Sequence, residues 1–264
     1  MSFLSGHEKK ICSKFLRDGY ILFNIKQKKK IDFIKEKIFF LTKNFLKKNY
    51  SNLNKKNIYN NIQDFVQLKD LNSFRLHLIN SLNKISDFRK IYYEIGKEYL
   101  DVICGNELVM QNKINLSIQL PNDDSSLLPI HSDVWAGNSP FEVVLWIPLV
   151  NCKKTQSMFI LNPKDNNYYY SNLKKFNTSD KIYNHCEKKL NWLEINYGQG
   201  LIFSQVLLHG NTINKEKESR WSFNCRFKSV FSPFEEKGIG DFFSPITLKP
   251  ASKLGIDYNE PSIK

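Results

Sequence analysis

The chain holds only five histidines, His7, His77, His131, His185 and His209, and two of them stand where metal chemistry is possible. His131-Ser132-Asp133 follows Pro129 and leads into Trp135. Alternate residues of an extended chain share a face, so this His-x-Asp puts an imidazole and a carboxylate on the same side. His209 ends an apolar run over residues 201–208 and is followed by Gly210-Asn211. A second imidazole brought to the first pair makes a facial triad with open positions opposite. Two neutral nitrogens and one hard oxygen suit non-haem Fe(II). His131, Asp133 and His209 are therefore the candidate metal ligands and catalytic centre. Spacing alone also permits a surface His beside a turn Asp.

Eleven residues beyond His209, Arg220 opens the clearest strand pattern of the chain, and Arg226 lies six residues further on. A period of two puts both guanidiniums on one face with Ser222 and Asn224, and Trp221, Phe223, Cys225 and Phe227 on the other. A guanidinium buried without an anion is costly, and a carboxylate is the natural partner of its planar fork. Arg220 and Arg226 are thus candidate contacts to an anionic ligand; a solvated strand face or an Arg–Asp pair would serve equally for the spacing. In the alternating run 114–120, Asn115, Ser117 and Gln119 share a face and form a further candidate polar wall.

The elements that must position these groups fall into two halves. Residues 1–105 read as mostly helical: Ser5 with Glu8 matches a capping box, Gly19 stops the first helix, and residues 20–25 form a short strand. Ile31, Ile34, Ile38, Leu41 and Phe45 mark one face of a long helix, and helical spacing returns at Phe74, Leu78 and Leu82 and at Phe88, Ile95 and Tyr99. Lys28-Lys29-Lys30 and Lys47-Lys48 are expected as solvated ends, and the Asn-rich stretch 51–62 as loop. From residue 106 to 231 the period changes to two, with strands at 114–120, 143–150, 157–161, 192–197, 201–205 and 220–230. Short strands separated by turns point to a sandwich or barrel. Residues 165–189 read as a long inserted loop, and the Pro-rich tail 232–264 as an extended wrap. One domain spanning 1–264 is expected, α+β with a mainly β core.

Composition narrows the class. The chain has 264 residues, 41% hydrophobic and 25% charged, which excludes wholesale disorder. No apolar run reaches the ~18–20 residues of a membrane span, and the first six residues lack the features of a signal peptide; a soluble, cytoplasmic protein is expected. Net charge is +13, yet only five of the 39 cations are Arg. Nucleic-acid readers favour Arg for its fork, so the excess of Lys reads as compositional bias rather than a polyanion surface. Five scattered cysteines with no C-x-x-C argue for reduced thiols and against a thiolate zinc site.

His131-x-Asp133, His209 and Arg220 together resemble the Fe(II)/2-oxoglutarate dioxygenases of the phytanoyl-CoA hydroxylase-like type. The surrounding H-S-D-V-W at 131–135, V-V-L-W-I-P-L at 143–149 and G-Q-G-L-I-F-S-Q-V-L-L-H-G-N at 198–211 are similar as well, with Gln199 where that family usually has Asp. The family's Gly-Ser-His after the middle strand is absent. The resemblance implies a double-stranded β-helix (jelly roll) with a helical N-terminal buttress. It implies Fe(II) on His131, Asp133 and His209, and Arg220 on the distal carboxylate of 2-oxoglutarate. Beside these, Asn115 and Gln119 are expected as inward polar contacts at the cofactor site, and Arg226 is expected against 2-oxoglutarate, the substrate or the neighbours of Asp133. It also implies O2 as oxidant, a ferryl intermediate, and release of succinate and CO2. Asp133 in the ligand set implies a hydroxylase rather than a halogenase.

For substrate, Trp135, Asn138, Glu142 and the Tyr168-Tyr169-Tyr170 run offer aromatic faces and hydrogen-bonding groups. The stretch 131–146 also resembles a branch associated with carbohydrate biosynthesis, which implies a sugar, nucleotide sugar or related small molecule. Two alternatives stay open: an AlkB-like nucleic-acid oxidative demethylase, whose Arg-x5-Arg pair Arg220 and Arg226 match, and a non-enzymatic cupin-like metal-binding protein.

Overall fold

A computed structural model describes residues 3–46 and 53–260. Helix α1 (Gly6–Asp18) begins at Ser5, whose hydroxyl accepts from the Glu8 amide while the Glu8 carboxylate accepts from the Ser5 amide. It ends at Gly19, whose φ of 74° belongs to the left-handed region that glycine enters without strain. Strand β1 (Tyr20–Asn24) follows, then α2 (Lys28–Leu46), which buries Ile31, Ile34 and Ile38. Lys30 in its first turn is paired with Glu94, so the basic run is not wholly a solvated end; Lys47 and Lys48 lie outside the described residues.

The expected loop 51–62 is corrected in part. Residues 51 and 52 lie outside the described residues, but Lys55–Asn60 forms helix α3, started by the Asn54 side chain accepting from the Asn57 amide. Asn residues that look loop-like in sequence here act as the cap. Helices α4 (Leu68–Asn83) and α5 (Phe88–Cys104) complete the helical half, α5 stopping at Gly105.

The β body comprises β2 (Leu108–Gln111), β3 (Asn115–Gln119), β4 (Val143–Pro148), β5 (Phe159–Ile160), β6 (Asn191–Trp192), β7 (Gln199–Ser204), β8 (His209–Gly210), β9 (Arg220–Ser229) and β10 (Phe243–Pro245). The larger antiparallel sheet runs β1-β7-β4-β9-β2-β10, with β3 also paired to β9; the smaller runs β6-β5-β8. Ten-residue β9 is the spine of the larger sheet. It pairs with β4 along one edge, and with β3 and then β2 along the other.

The two faces of β9 do different work. Trp221 meets Tyr59 and Phe74 edge-on, Phe223 meets Phe88 and Tyr92, and Phe227 leans on Tyr93. These rings join helices α3, α4 and α5 to the sheet in one core, each full burial contributing roughly 1.5–3 kcal/mol. The helices therefore claim the apolar face, and alternation turns Arg220, Ser222, Asn224 and Arg226 to the opposite side.

Three further expectations need correction. Residues 165–189 are not a loop: α6 (Pro163–Ser171) starts at an Asn162 cap with Pro163 in its first turn, and α7 (Ser179–Cys186) at a Thr178 cap. Their buried Tyr169, Ile182 and Cys186, with Phe176 between them, pack under the smaller sheet on Ile130, Phe159, Leu161 and Leu208. Both helices are too short for a sustained period to stand out in sequence. In the 192–197 segment only Asn191–Trp192 forms a strand, followed by a single bridge between Ile195 and Cys152. The tail is more than an extended wrap, since β10 pairs with β2 and α8 (Pro250–Ile256) follows; residues 261–264 lie outside the described residues. Among the described residues no helix is long and apolar enough to cross a membrane.

Candidate metal centre

His131 and His209 meet backbone to backbone. The His131 amide donates to the His209 carbonyl and the His209 amide returns the bond, both at 2.9 Å, which brings the ring centroids to 4.4 Å. Such an approach needs a residue without a side chain next to it. A Cβ on Gly210 would stand 2.7 Å from the Leu128 carbonyl oxygen and 3.1 Å from the Ile130 amide nitrogen. Ser132 is extended, with φ −115° and ψ 133°, and Asp133 begins a single 3-10 turn. The His131 and Asp133 side chains consequently share a side. Ser132 engages other partners, donating to the Gln205 carbonyl at 2.9 Å and accepting from the Tyr170 hydroxyl at 2.6 Å.

The donor atoms suit a single cation. His131 Nδ1 lies 2.7 Å from the Pro129 carbonyl oxygen and His209 Nδ1 2.8 Å from that of Leu207. A carbonyl can only accept, so each Nδ1 carries a proton, and in the neutral ring the lone pair lies on Nε2. His131 Nε2 is 3.7 Å from Asp133 Oδ1, His209 Nε2 is 3.9 Å from Oδ2, and one donor atom from each residue lies within 4.8 Å of the others. Donors that each contact one ion at ~2.1 Å are separated by roughly 3–4 Å, so the two carboxylate–imidazole spacings fit.

Charge states agree with that fit. Burial, reinforced by His131, pushes His209 down to about 4, leaving it neutral at pH 7. Burial alone would raise Asp133, but His209, Arg226 and His131 outweigh it and hold the carboxyl below its ordinary value. Arg226 Nη2 donates to Asp133 Oδ1 at 3.1 Å. The Asn138 side-chain amide donates to the Asp133 carbonyl at 2.7 Å, and Lys237 Nζ donates to Asn138 Oδ1 at 2.8 Å.

A cavity of ≈ 100 Å³ opens on the triad, walled by Val144, Trp146, Met158 and Phe203 and by the polar Asn211, Arg220, Asn224 and Arg226. Arg220 is only 3% exposed. Its Nη2 donates to Ser117 Oγ at 3.1 Å, while its Nε is buried with no partner. Among the described residues no carboxylate lies within ion-pairing distance of it. Burial lowers its pKa, which says that the cation is poorly solvated here. Gln119 Oε1 and Ser222 Oγ, its neighbours across and along the sheet, are also buried without partners.

The sequence-nominated residues divide. His131, Asp133, His209, Arg220 and Arg226 line one cavity. Asn115 and Gln119 are on β3 behind that lining: Asn115 donates to Asn224 at 3.3 Å, and Gln119 donates to the Thr212 carbonyl at 2.6 Å. Asn224 reaches the cavity instead, a position its alternation with Arg220 and Arg226 already indicates. Glu142 is buried, accepting from the Ser139 amide and from Gln205, and burial raises its pKa. Tyr169 is fully buried against His185. Trp135 stays 42% exposed beside Tyr170.

No protein-family model matches the sequence, and no curated protein matches it. Solved structures do. A nickel complex of ThoJ, described as a non-heme monooxygenase, superposes with a TM-score of 0.52 at 14% identity over 87% of this chain and 84% of its own. ThoJ without ligand gives 0.54 at 13% identity, with the same coverage. HygX from Streptomyces hygroscopicus with nickel and 2-oxoglutarate bound gives 0.52 at 9% identity, over 86% of this chain and 88% of its own. The chain has the fold of these non-haem oxygenases. Within that oxygenase fold, the facing ends of β8 and the residue 131 bridge carry the two imidazoles, and β9 carries both arginines.

Proposed function

We propose that this chain is an Fe(II)- and 2-oxoglutarate-dependent oxygenase acting on a small polar metabolite, a sugar, nucleotide sugar or related carbohydrate intermediate, in the cytoplasm. The observation that carries the reading is Arg220, a buried cation with an unpartnered Nε and no described carboxylate within ion-pairing distance, in the same cavity as a His-Asp-His donor set. A buried guanidinium left unpaired is strongly unfavourable, so its natural complement is an incoming anion. The larger and smaller sheets are read as the two halves of a double-stranded β-helix of the phytanoyl-CoA hydroxylase-like type, with residues 1–105 as buttress, 106–231 as core and 232–264 as tail.

In this reading His131 Nε2, His209 Nε2 and an Asp133 oxygen hold the iron, and Arg220, oriented by Ser117, binds the distal carboxylate of 2-oxoglutarate. Bound iron, 2-oxoglutarate and O2 supply the power to oxidise a substrate C–H bond, with succinate and CO2 released. The chain supplies position and exclusion of water. Val144, Trp146, Met158 and Phe203 make the apolar wall, and Asn211 and Asn224 offer both donors and acceptors to a hydroxylated substrate. Free cysteines without a disulfide accord with a reducing compartment.

The test is production of succinate from 2-oxoglutarate by iron-loaded protein in air, followed by NMR, with a panel of sugars and nucleotide sugars. The expected result is Fe(II)-dependent succinate that one member of the panel accelerates and that His131→Ala abolishes. No succinate from iron-loaded protein with any substrate would instead favour a cupin-like binding protein.

A further inference from the structure

Two arginines share one face of β9, but they are not equivalent. Among the described residues Arg220 has no acidic partner, whereas Arg226 donates through Nη2 to Asp133 Oδ1 at 3.1 Å. We infer that Arg226 is a positioning residue for Asp133, tying that carboxylate to the sheet so that its other oxygen, Oδ2, is turned toward His209, rather than a contact to the co-substrate. The inference rests on the reading of His131, Asp133 and His209 as the metal ligands.

The need for such a tie follows from where Asp133 sits. The two histidines are fixed to each other by a reciprocal pair of backbone hydrogen bonds. Asp133 lies beyond that bridge, in the turn leading from the bridged His131 toward β4, and no strand pairing holds it. Arg226 by contrast belongs to the most heavily paired strand of the molecule, opposite Val144 of β4. Two other contacts hold the guanidinium, although its Nε is buried without a partner: Nη1 donates to Gln111 Oε1 at 3.5 Å, and the Phe242 ring centroid lies 5.9 Å from its Cζ. The ion pair is largely buried, with side-chain exposures of 17% and 12%, so the bond is charge-assisted and little screened.

The pairing also sorts the two carboxylate oxygens. Oδ1 already accepts from a cation, which makes it the poorer donor to a second cation. Oδ2, 3.9 Å from His209 Nε2, accepts no hydrogen bond from the described residues. Asp133 would thereby offer a bound cation chiefly Oδ2. The Asn138 bond to the Asp133 carbonyl, backed by Lys237, fixes the backbone from the other side. Supports of this kind behind a metal ligand are typically worth 10–100-fold in metal affinity.

The experiment is anaerobic calorimetric titration of the full chain with Co(II), then of the Co(II)-loaded protein with 2-oxoglutarate, for wild type, Arg226→Met, Arg226→Lys and Arg220→Met. The expected outcome is a double dissociation. Arg226→Met weakens Co(II) binding at least tenfold and 2-oxoglutarate binding less than threefold, Arg226→Lys recovers part of the loss, and Arg220→Met does the reverse. In an Asp133→Asn background, Arg226→Met should change Co(II) affinity less than twofold, a coupling that general loosening of the fold would not produce. Co(II) affinity within twofold of wild type in Arg226→Met, or a loss confined to 2-oxoglutarate, overturns the inference. Should Arg226→Met not fold, Arg226→Lys with unchanged Co(II) affinity and weakened 2-oxoglutarate binding overturns it equally. Failure of wild type to bind Co(II) at all would reject the metal-site reading itself, a distinguishable result.

Discussion

Arg220 shows how much one side chain depends on its nearest support. Among the described residues its side chain's one hydrogen bond is to Ser117, and a bond to a charged group is worth about 1.5–3 kcal/mol. Ser117→Ala is expected to weaken 2-oxoglutarate binding roughly tenfold or more with metal affinity unchanged; equal affinities by calorimetry would remove Ser117 from the site. His209 gives a pH dependence. Its pKa falls from 6.5 to about 4 on burial, so between those values the unfolded chain binds more protons than the folded one. Stability of metal-free protein therefore rises with pH through that window and is lost as pH falls through it. Chelator-treated protein should melt a few degrees lower at pH 5 than at pH 7, and His209→Gln should lose much of that difference. The residues that converge on the cavity were legible because His-x-Asp and an alternating Arg are local patterns. The partner of Arg226 was not, since an Arg–Asp bond across 93 residues leaves no mark in spacing. Asn115 and Gln119 were placed on the right strand face, but strand period cannot say which polar residue on a face reaches the cavity and which meets its neighbour.

At the scale of elements, site geometry is set by how closely β8 approaches the 128–131 segment. A methyl group at Gly210 has nowhere to go against two backbone groups. Gly210→Ala is expected to part the His131–His209 bridge and weaken metal binding at least tenfold while leaving the far-UV circular dichroism within a few per cent; unchanged metal affinity would mean that the bridge does not govern the site. On the reverse face of β9, Trp221 is fully buried between Tyr59 and Phe74. Trp221→Ala should cost about 3–5 kcal/mol, read by urea denaturation, and a loss under 1 kcal/mol would contradict the packing described. The alternation in residues 114–120 and 220–230 made these strands readable. Helices α6 and α7 escaped because each is short, and because cap residues and Tyr, Asn and Lys dominate them. The pairing order escaped for another reason: β1 meets β7 with Tyr20 opposite Phe203, and local pattern carries no information about such distant partners.

At the scale of the whole molecule, helices and larger sheet share one hydrophobic cluster running from Ile11 to Phe227, so the helical layer is part of the structure that holds the site and not an appendage. Sequence gave the succession of helices and then strands, and with it the idea that a helical layer supports a β body, but not which strand face the layer would take. The net charge of +13 plays no part in the account: the cations that matter are Arg220 and Arg226, both inside. The central claim, that triad and arginine form one iron and 2-oxoglutarate site, is tested most directly by anaerobic titration of the metal-free protein with Fe(II) and 2-oxoglutarate while recording the weak visible metal-to-ligand charge-transfer band. The expected result is a band that requires both components, disappears in His131→Ala and weakens in Arg220→Ala. Iron binding with no band at saturating 2-oxoglutarate would contradict the claim.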